Sequence, residues 1–214
     1  MGKVIDMVDA VAKVKDGDVV LVGGFGPKGY PGRLLRGLLR TTDTKDLFFV
    51  TNAANPSYMS SLEKLLARRS RGMICTYLRG SAAAERLYFE KKLEIASQGT
   101  FAERLRAGGM GVEAFYTVVG IGTIIGEGKE KAMFDGRAYL LEKAIRGDIA
   151  LVRATSVDLE GNCFMRGATK NFCSLMPAAA KYTIVEAEEI VAEIDPEIIS
   201  VPGKYVNAIV RAGA

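Results

Sequence analysis

Val19-Val20-Leu21-Val22-Gly23-Gly24-Phe25-Gly26-Pro27-Lys28-Gly29-Tyr30-Pro31 decides how the chain is read. Its first four residues are apolar and mostly β-branched, which makes a short buried strand. The nine that follow include four glycines, so backbone can take positive φ and approach a ligand without a Cβ in the way, while two prolines keep the loop out of helix. Gly32-Arg33-Leu34-Leu35-Arg36-Gly37-Leu38-Leu39-Arg40 then sets leucines on one face and arginines on the other, a helix that Pro31 opens. Strand, glycine loop and helix in this order leave backbone N–H groups free for an anion or a developing oxyanion; the alternative is a tight turn with no ligand.

Upstream, Ile5 to Val14 places Ile5, Val8, Val11 and Ala12 on one stripe and predicts an amphipathic helix, ended by Asp16-Gly17. Downstream, Leu47 to Val50 reads as a second buried strand, with Asn52-Ala53-Ala54-Asn55-Pro56 turning at its carboxyl end. Ser57 is positioned to cap a helix carrying Met59, Leu62, Leu65 and Leu66. Met73 to Tyr77 is a strand, Ser81 to Lys91 a helix, and Leu93 to Ala96 another strand. Ser97-Gln98-Gly99 leaves that strand, and Thr100 with Glu103 forms a capping box for a helix that stops at Gly108-Gly109. Later come a helix from Ala138 to Ile145, a strand from Ile149 to Val152, a hairpin-like turn over Asp158 to Asn162 and a strand from Lys181 to Val185.

Strands alternating with helices predict an α/β fold, an open and mostly parallel sheet flanked by helices, with ligands at the carboxyl ends of the strands. Gly23 to Gly29, Asn52 and Gln98 all follow strands and therefore share one edge. No stretch has the composition of a linker, so residues 1–214 are expected to form a single domain.

Composition excludes several chemistries. The chain has no histidine, which removes a Ser-His-Asp triad, a Cys-His pair and every histidine metal site from this chain alone. Cys75, Cys163 and Cys173 show no CxxC spacing, so neither a disulfide framework nor a zinc site is expected. The net charge of +4 is mild, and Arg68-Arg69-Ser70-Arg71 lacks the interleaved aromatics of a single-strand binder, so no nucleic-acid partner is expected. No apolar run reaches membrane-spanning length and no hydrophobic signal core opens the chain; a cytoplasmic protein is expected, with no membrane partner. Gly120-Ile121-Gly122-Thr123-Ile124-Ile125-Gly126-Glu127-Gly128-Lys129 is not a nucleotide loop, because its glycine spacing is wrong and Glu130 stands where Ser or Thr is needed. It reads as a flexible excursion.

Asp16-Gly17, Val20-Leu21-Val22, Gly23-Gly24-Phe25 and Gly29-Tyr30-Pro31 together resemble the amino-terminal pattern of family I coenzyme A transferases. Segments similar to that family's alpha subunit follow in order: Gln98-Gly99-Thr100, Arg106-Ala107-Gly108-Gly109, Ala114-Phe115-Tyr116-Thr117, Gly120-Ile121-Gly122-Thr123, Asn171-Phe172 and Pro202-Gly203. The resemblance implies one half of an enzyme like 3-oxoacid or acetate CoA-transferase, paired with a beta subunit in a heterotetramer. In such enzymes a glutamate of the beta subunit, in a Ser-Glu-Asn-Gly motif that this chain lacks, carries a glutamyl-CoA intermediate. The chain is therefore expected to be inactive alone, with coenzyme A as substrate, no permanently bound cofactor and no metal. The same resemblance assigns CoA binding to Gly23, Gly24, Phe25, Gly26, Pro27, Lys28 and Gly29, and oxyanion stabilisation to the amides of Asn52 and Gln98.

Two segments depart from the family pattern. Lys170-Asn171-Phe172-Cys173-Ser174 stands where Arg-Asn-Phe-Asn-Pro is common, and Val118-Val119 where a Pro-Thr pair is common. Both bear on the choice of acyl group. The alternative reading is a non-catalytic CoA- or metabolite-binding protein on the same fold, and a neighbouring gene for a Ser-Glu-Asn-Gly chain separates the two.

Overall fold

The structure, a computed structural model, describes residues 2–213. The chain runs through α1 (Met7–Val11), β1 (Val19–Val22), α2 (Gly32–Thr41), β2 (Leu47–Thr51), α3 (Pro56–Arg69), β3 (Ser70–Cys75), α4 (Ala82–Phe89), β4 (Leu93–Ile95) and α5 (Gln98–Met110). It continues with β5 (Ala114–Thr117), β6 (Lys131–Phe134), β7 (Arg137–Lys143), β8 (Gly147–Val157), β9 (Cys163–Phe164), α6 (Asn171–Ala179), β10 (Ala180–Ile190) and β11 (Ala208–Arg211).

The main sheet has the order β11-β10-β8-β1-β2-β3-β4, every pair parallel, with β9 added antiparallel to β8. Successive strand residues face opposite layers, so Val20 and Val22 join one core and Leu21 the other. The first core takes Ala10 of α1, Leu34 of α2, Leu62 of α3 and Ala83 of α4. The second takes Phe101 of α5 and Met176 of α6. Burial on both faces explains the unbroken apolar runs of β1 and β2.

Several local expectations are corrected. Residues 138–145 are not helix: Arg137–Lys143 is the central strand of a second, antiparallel sheet, order β5-β7-β6. Cross-strand pairing overrides the helix propensity of Leu140, Leu141, Glu142 and Lys143, and Leu140 and Glu142 turn inward together at the two-residue period. Asn55, not Ser57, caps α3, accepting the Ser57 N–H on Oδ1 at 3.0 Å. The opening helix is short, capped by Asp6, and buries Ala10 and Val11 while Val8 faces out.

The capping box at Thr100 is absent. Helix α5 starts at Gln98, and Thr100 is buried inside it, its hydroxyl accepting from Ser97 Oγ at 2.8 Å. Nor does α5 stop at Gly108-Gly109; it ends at Gly111, whose φ of 76° supplies the left-handed cap. Gly109 is there for packing, since a Cβ on it would stand 2.8 Å from Ala178 Cβ of α6.

Candidate active site

Parallel pairing brings the expected residues to one rim. Val22 pairs with Thr51, so Gly23 and Asn52 leave adjacent strands side by side. Cys75 pairs with Ile95, which puts Thr76 at the end of β3 and Gln98 just beyond β4. Two strand spacings separate β2 from β4, about 10 Å. Asn52 and the glycine loop are thus immediate neighbours, and Gln98 stands farther along the same edge.

The loop is a compact hairpin. Gly23 N–H donates to the Leu151 carbonyl at 2.9 Å, while Phe25 and Lys28 exchange both backbone hydrogen bonds, at 2.8 and 3.1 Å. Gly24, Gly26 and Gly29 have φ of 122°, 55° and 76°, so side chains are strained at all three. Both ends are buried, and Phe25, Pro27 and Lys28 form an exposed tip. From below, Cys173 Sγ donates to the Gly29 carbonyl at 3.2 Å. An aromatic chain ties the tip to α5: Phe25 lies 6.5 Å from Phe172, which meets Phe101 edge-on at 5.0 Å.

The free helix N-terminus expected after the glycine loop is not free. Glu186 of β10 accepts the N–H groups of Arg33 at 2.7 Å and Leu34 at 3.0 Å, and Arg153 pairs with its other oxygen at 3.2 Å. Burial holds the Glu186 carboxyl above the usual range, against the opposing pull of the Leu34 amide and Arg153. The helix start facing the rim without a side-chain cap is that of α5, at Ser97 and Gln98. Ser97, Gly99 and Thr100 also line an open pocket of about 580 Å³ with Phe115, Tyr116 and Val119.

Asn52 is buried and anchored. Its backbone carbonyl accepts from the N–H of Thr76 at 2.9 Å and of Tyr77 at 3.2 Å, and Thr76 Oγ1 lies 3.0 Å from its Oδ1. Tyr30 is buried beside it, its phenol pKa pushed up first by burial and then by Tyr58 and Cys173, with the Asn52 amide acting in the other direction. The Tyr30 hydroxyl has no partner in hydrogen-bond geometry. Gln98 is exposed, in the first turn of α5. Two neutral amides on one rim can stabilise charge developing on a carbonyl oxygen but cannot attack it.

Among the described residues, neither the thiols nor Glu186 offers a free nucleophile to them. Burial raises the thiol pKa of Cys75 and Cys163 to about 12 and of Cys173 to about 11, so all three stay protonated and unreactive at neutral pH. Glu186 is spent on α2 and Arg153, and Glu188 pairs with Arg153 at 2.9 Å. Among the described residues no cluster of acidic or thiol groups could hold a metal ion. Sequence reading missed Tyr30 and Thr76 as parts of this site. The reading placed Thr76 inside the strand Met73 to Tyr77, which in fact ends at Cys75, and Tyr30 had only its place within the glycine stretch.

The coenzyme A transferase family model matches residues 4–212. The chain is 41% identical over 215 residues to the A-type half of a probable succinyl-CoA:3-ketoacid coenzyme A transferase of Bacillus subtilis, covering 98% of this chain and 90% of that one. It is 38% identical to the A-type half of the 3-oxoadipate CoA-transferase of Pseudomonas putida over 210 residues, 95% of this chain and 90% of that one. The crystal structure of an acyl-CoA transferase from Escherichia coli O157:H7, in a thioester complex with CoA, superposes with a TM-score of 0.87 at 21% identity. That match covers 99% of this chain and 47% of the other, and it speaks for the fold.

Proposed function

The chain belongs to the coenzyme A transferase family, and on that basis we propose that its rim supplies oxyanion donors and part of the CoA cradle in a two-subunit enzyme. It is an A-type CoA-transferase subunit, and the naming of its relatives as A-type halves of such enzymes supports a B-type partner. Together the two move CoA from an acyl-CoA to a small carboxylate. The acyl class is a 3-oxoacid, the feature common to the names of the 3-ketoacid and 3-oxoadipate relatives. The assembly is a heterotetramer in the cytoplasm, each A-type chain contributing one domain.

One observation carries the division of labour: Asn52 and the glycine loop sit side by side, held there by the Val22–Thr51 pairing, and the thiol and the carboxylate packed nearest the loop, Cys173 and Glu186, are already engaged. The reactive carboxylate is accordingly a glutamate of the partner. Its carboxylate oxygen adds to the thioester carbonyl, and CoA thiolate leaves to give an acyl-glutamyl anhydride. The thiolate then attacks the glutamyl carbonyl, forming the glutamyl-CoA thioester and releasing the acyl group as its carboxylate. An incoming carboxylate reverses both steps.

In each addition negative charge grows on a carbonyl oxygen, where the amides of Asn52 and Gln98 donate. Gly23 to Gly29 lets backbone approach CoA, and Lys28 at the exposed tip adds a cation suited to its phosphates.

Co-expression with the adjacent B-type chain, transfer assays over acyl-CoA donors and carboxylate acceptors, and borohydride reduction of the enzyme-CoA thioester test this reading. Ping-pong turnover with the reduced glutamate on the partner is expected. Turnover by this chain alone, or a label on one of its own glutamates, refutes it. A stable complex that transfers nothing across the panel points to a binding protein instead.

A further inference from the structure

Tyr30 is buried, and its hydroxyl has no hydrogen-bond partner. A phenol proton left without an acceptor inside a protein is costly. Tyr58, Cys173 and the Asn52 amide are among the groups close enough to act on it. Tyr58 stacks at 5.5 Å between ring centres and opens to solvent. Cys173 already gives its proton to the Gly29 carbonyl and is a weak acceptor. Asn52, itself buried, carries the one strong acceptor of the three, its side-chain oxygen, but that oxygen lies against Thr76 instead.

The other end of that amide has a complementary fault. Thr76 Oγ1 lies 2.9 Å from the Asn52 backbone carbonyl and 3.0 Å from Oδ1, yet a threonine hydroxyl has one proton and cannot donate to both. Half a turn of the amide about its last bond removes the second fault and turns Oδ1 away from Thr76, to where Nδ2 now stands. Nδ2 then donates to Thr76 Oγ1, Thr76 donates to the backbone carbonyl, and Oδ1 accepts from Tyr30. One N–H of Nδ2 remains unspent.

We propose that Tyr30 and Thr76 are positioning residues for Asn52, holding its amide so that an N–H, and not the carbonyl oxygen, is left for the substrate. This rests on the oxyanion role proposed for Asn52. An amide with its oxygen toward a developing oxyanion would oppose the reaction, so the orientation decides the sign of the effect. The three residues come from three adjacent structural units: the glycine loop after β1, the end of β2 and the end of β3.

The test uses the two-subunit enzyme with Tyr30→Phe, Thr76→Val, Thr76→Ser, Asn52→Ala and the Tyr30→Phe/Asn52→Ala pair. Tyr30→Phe and Thr76→Val should each lower kcat about tenfold while KM for acyl-CoA changes by less than about twofold. Thr76→Ser should restore turnover, and Tyr30→Phe should cost nothing further once Asn52 is alanine. Nitrogen-15 NMR of the same assembly follows the Asn52 side-chain amide, whose proton exchange should quicken in Thr76→Val. An amide signal indifferent to both partners, or a Tyr30→Phe loss that persists without Asn52, overturns the proposal. If the amide responds but Asn52→Ala transfers normally, the hydrogen-bond chain stands and the role of Asn52 in transfer falls.

Discussion

Glu186 Oε2 lies 2.7 Å from the backbone nitrogen of Arg33, so a carboxylate on β10 caps the helix that begins where the glycine loop ends. The same oxygen accepts from Leu34 N–H, and the residue is 1% exposed, leaving no water to replace it. Glu186→Ala strands two helix N–H donors and leaves Arg153 with Glu188 alone. A loss of about 2–3 kcal/mol is expected in chemical denaturation, with Glu186→Gln falling between the variant and the parent. Because α2 anchors the loop, KM for acyl-CoA should rise in both.

Asn52→Ala and Gln98→Ala test the rim directly. Each removes one amide donor from the proposed oxyanion site, and a loss of about 10²–10³ in kcat is the size such a donor commands. Gln98 is exposed and its side chain makes no hydrogen bond to the rest of the described chain, so its variant should unfold at the parent's temperature. Asn52 is buried and tied to Thr76, so its variant should also lose stability. Normal turnover in both would remove the amides from the mechanism.

Legibility followed the range of the interactions. The strands Val19–Val22 and Leu47–Thr51 announce themselves because burial on both faces demands unbroken apolar runs, and their parallel order placed Asn52 beside the loop. Residues 138–145 misled because Leu, Glu and Lys favour helix locally, while the strand exists through pairing with residues 114–117 and 131–134. The Glu186 cap was illegible for the same reason, reaching 153 residues back to Arg33. The roles of Asn52 and Gln98 came from family resemblance, since neutral amides after strands are equally good turn residues.

Gly23 is close-packed against Cys173. A Cβ on Gly23 would stand 2.5 Å from Cys173 Sγ and 3.3 Å from Val152 Cγ1, and its φ is not in the left-handed region, so space alone forbids a side chain. Gly23→Ala should therefore destabilise the protein by about 1–3 kcal/mol and impair transfer by displacing the loop. Cys173→Ala removes the obstructing sulfur, so the double variant should be more stable than the sum of the singles predicts. Additive thermal shifts would show that the loop yields elsewhere.

A buried ionic group fastens the small antiparallel sheet to α5. Arg104 Nε donates to the Lys143 carbonyl at 2.7 Å and its Nη1 to Glu94 at 2.5 Å, while Glu142 pairs with Lys129 at 2.5 Å. Glu142 and Arg104 are 2% and 7% exposed, so replacing Glu142 leaves Arg104 and Lys129, two cations in a poorly solvated place, to share Glu94 alone. Glu142→Ala should cost about 3–5 kcal/mol, whereas Glu113→Ala, which breaks only the exposed pair with Arg146, should cost under about 1 kcal/mol. Equal losses would show that burial does not set the difference.

Asp148 gives the fold a handle on pH. Its carboxyl is held below its ordinary 3.8, chiefly by the hydrogen bond from Lys181 and next by the Val19 N–H, which reach Oδ1 at 2.8 Å and Oδ2 at 2.9 Å. Since the folded pKa lies below the unfolded one, the unfolded chain takes up the proton first as acid is added. The stabilisation is complete above pH 3.8 and is lost as pH falls through the folded value. Asp148→Asn keeps an acceptor for Val19 but loses the ion pair. Lys181 is largely exposed, so the pair is worth up to about 1 kcal/mol, or about 2–4 °C in Tm at neutral pH. Thermal melts of parent and variant should converge as the pH is taken below 3.8; a gap that stays constant into acid would show that packing, not charge, accounts for the loss.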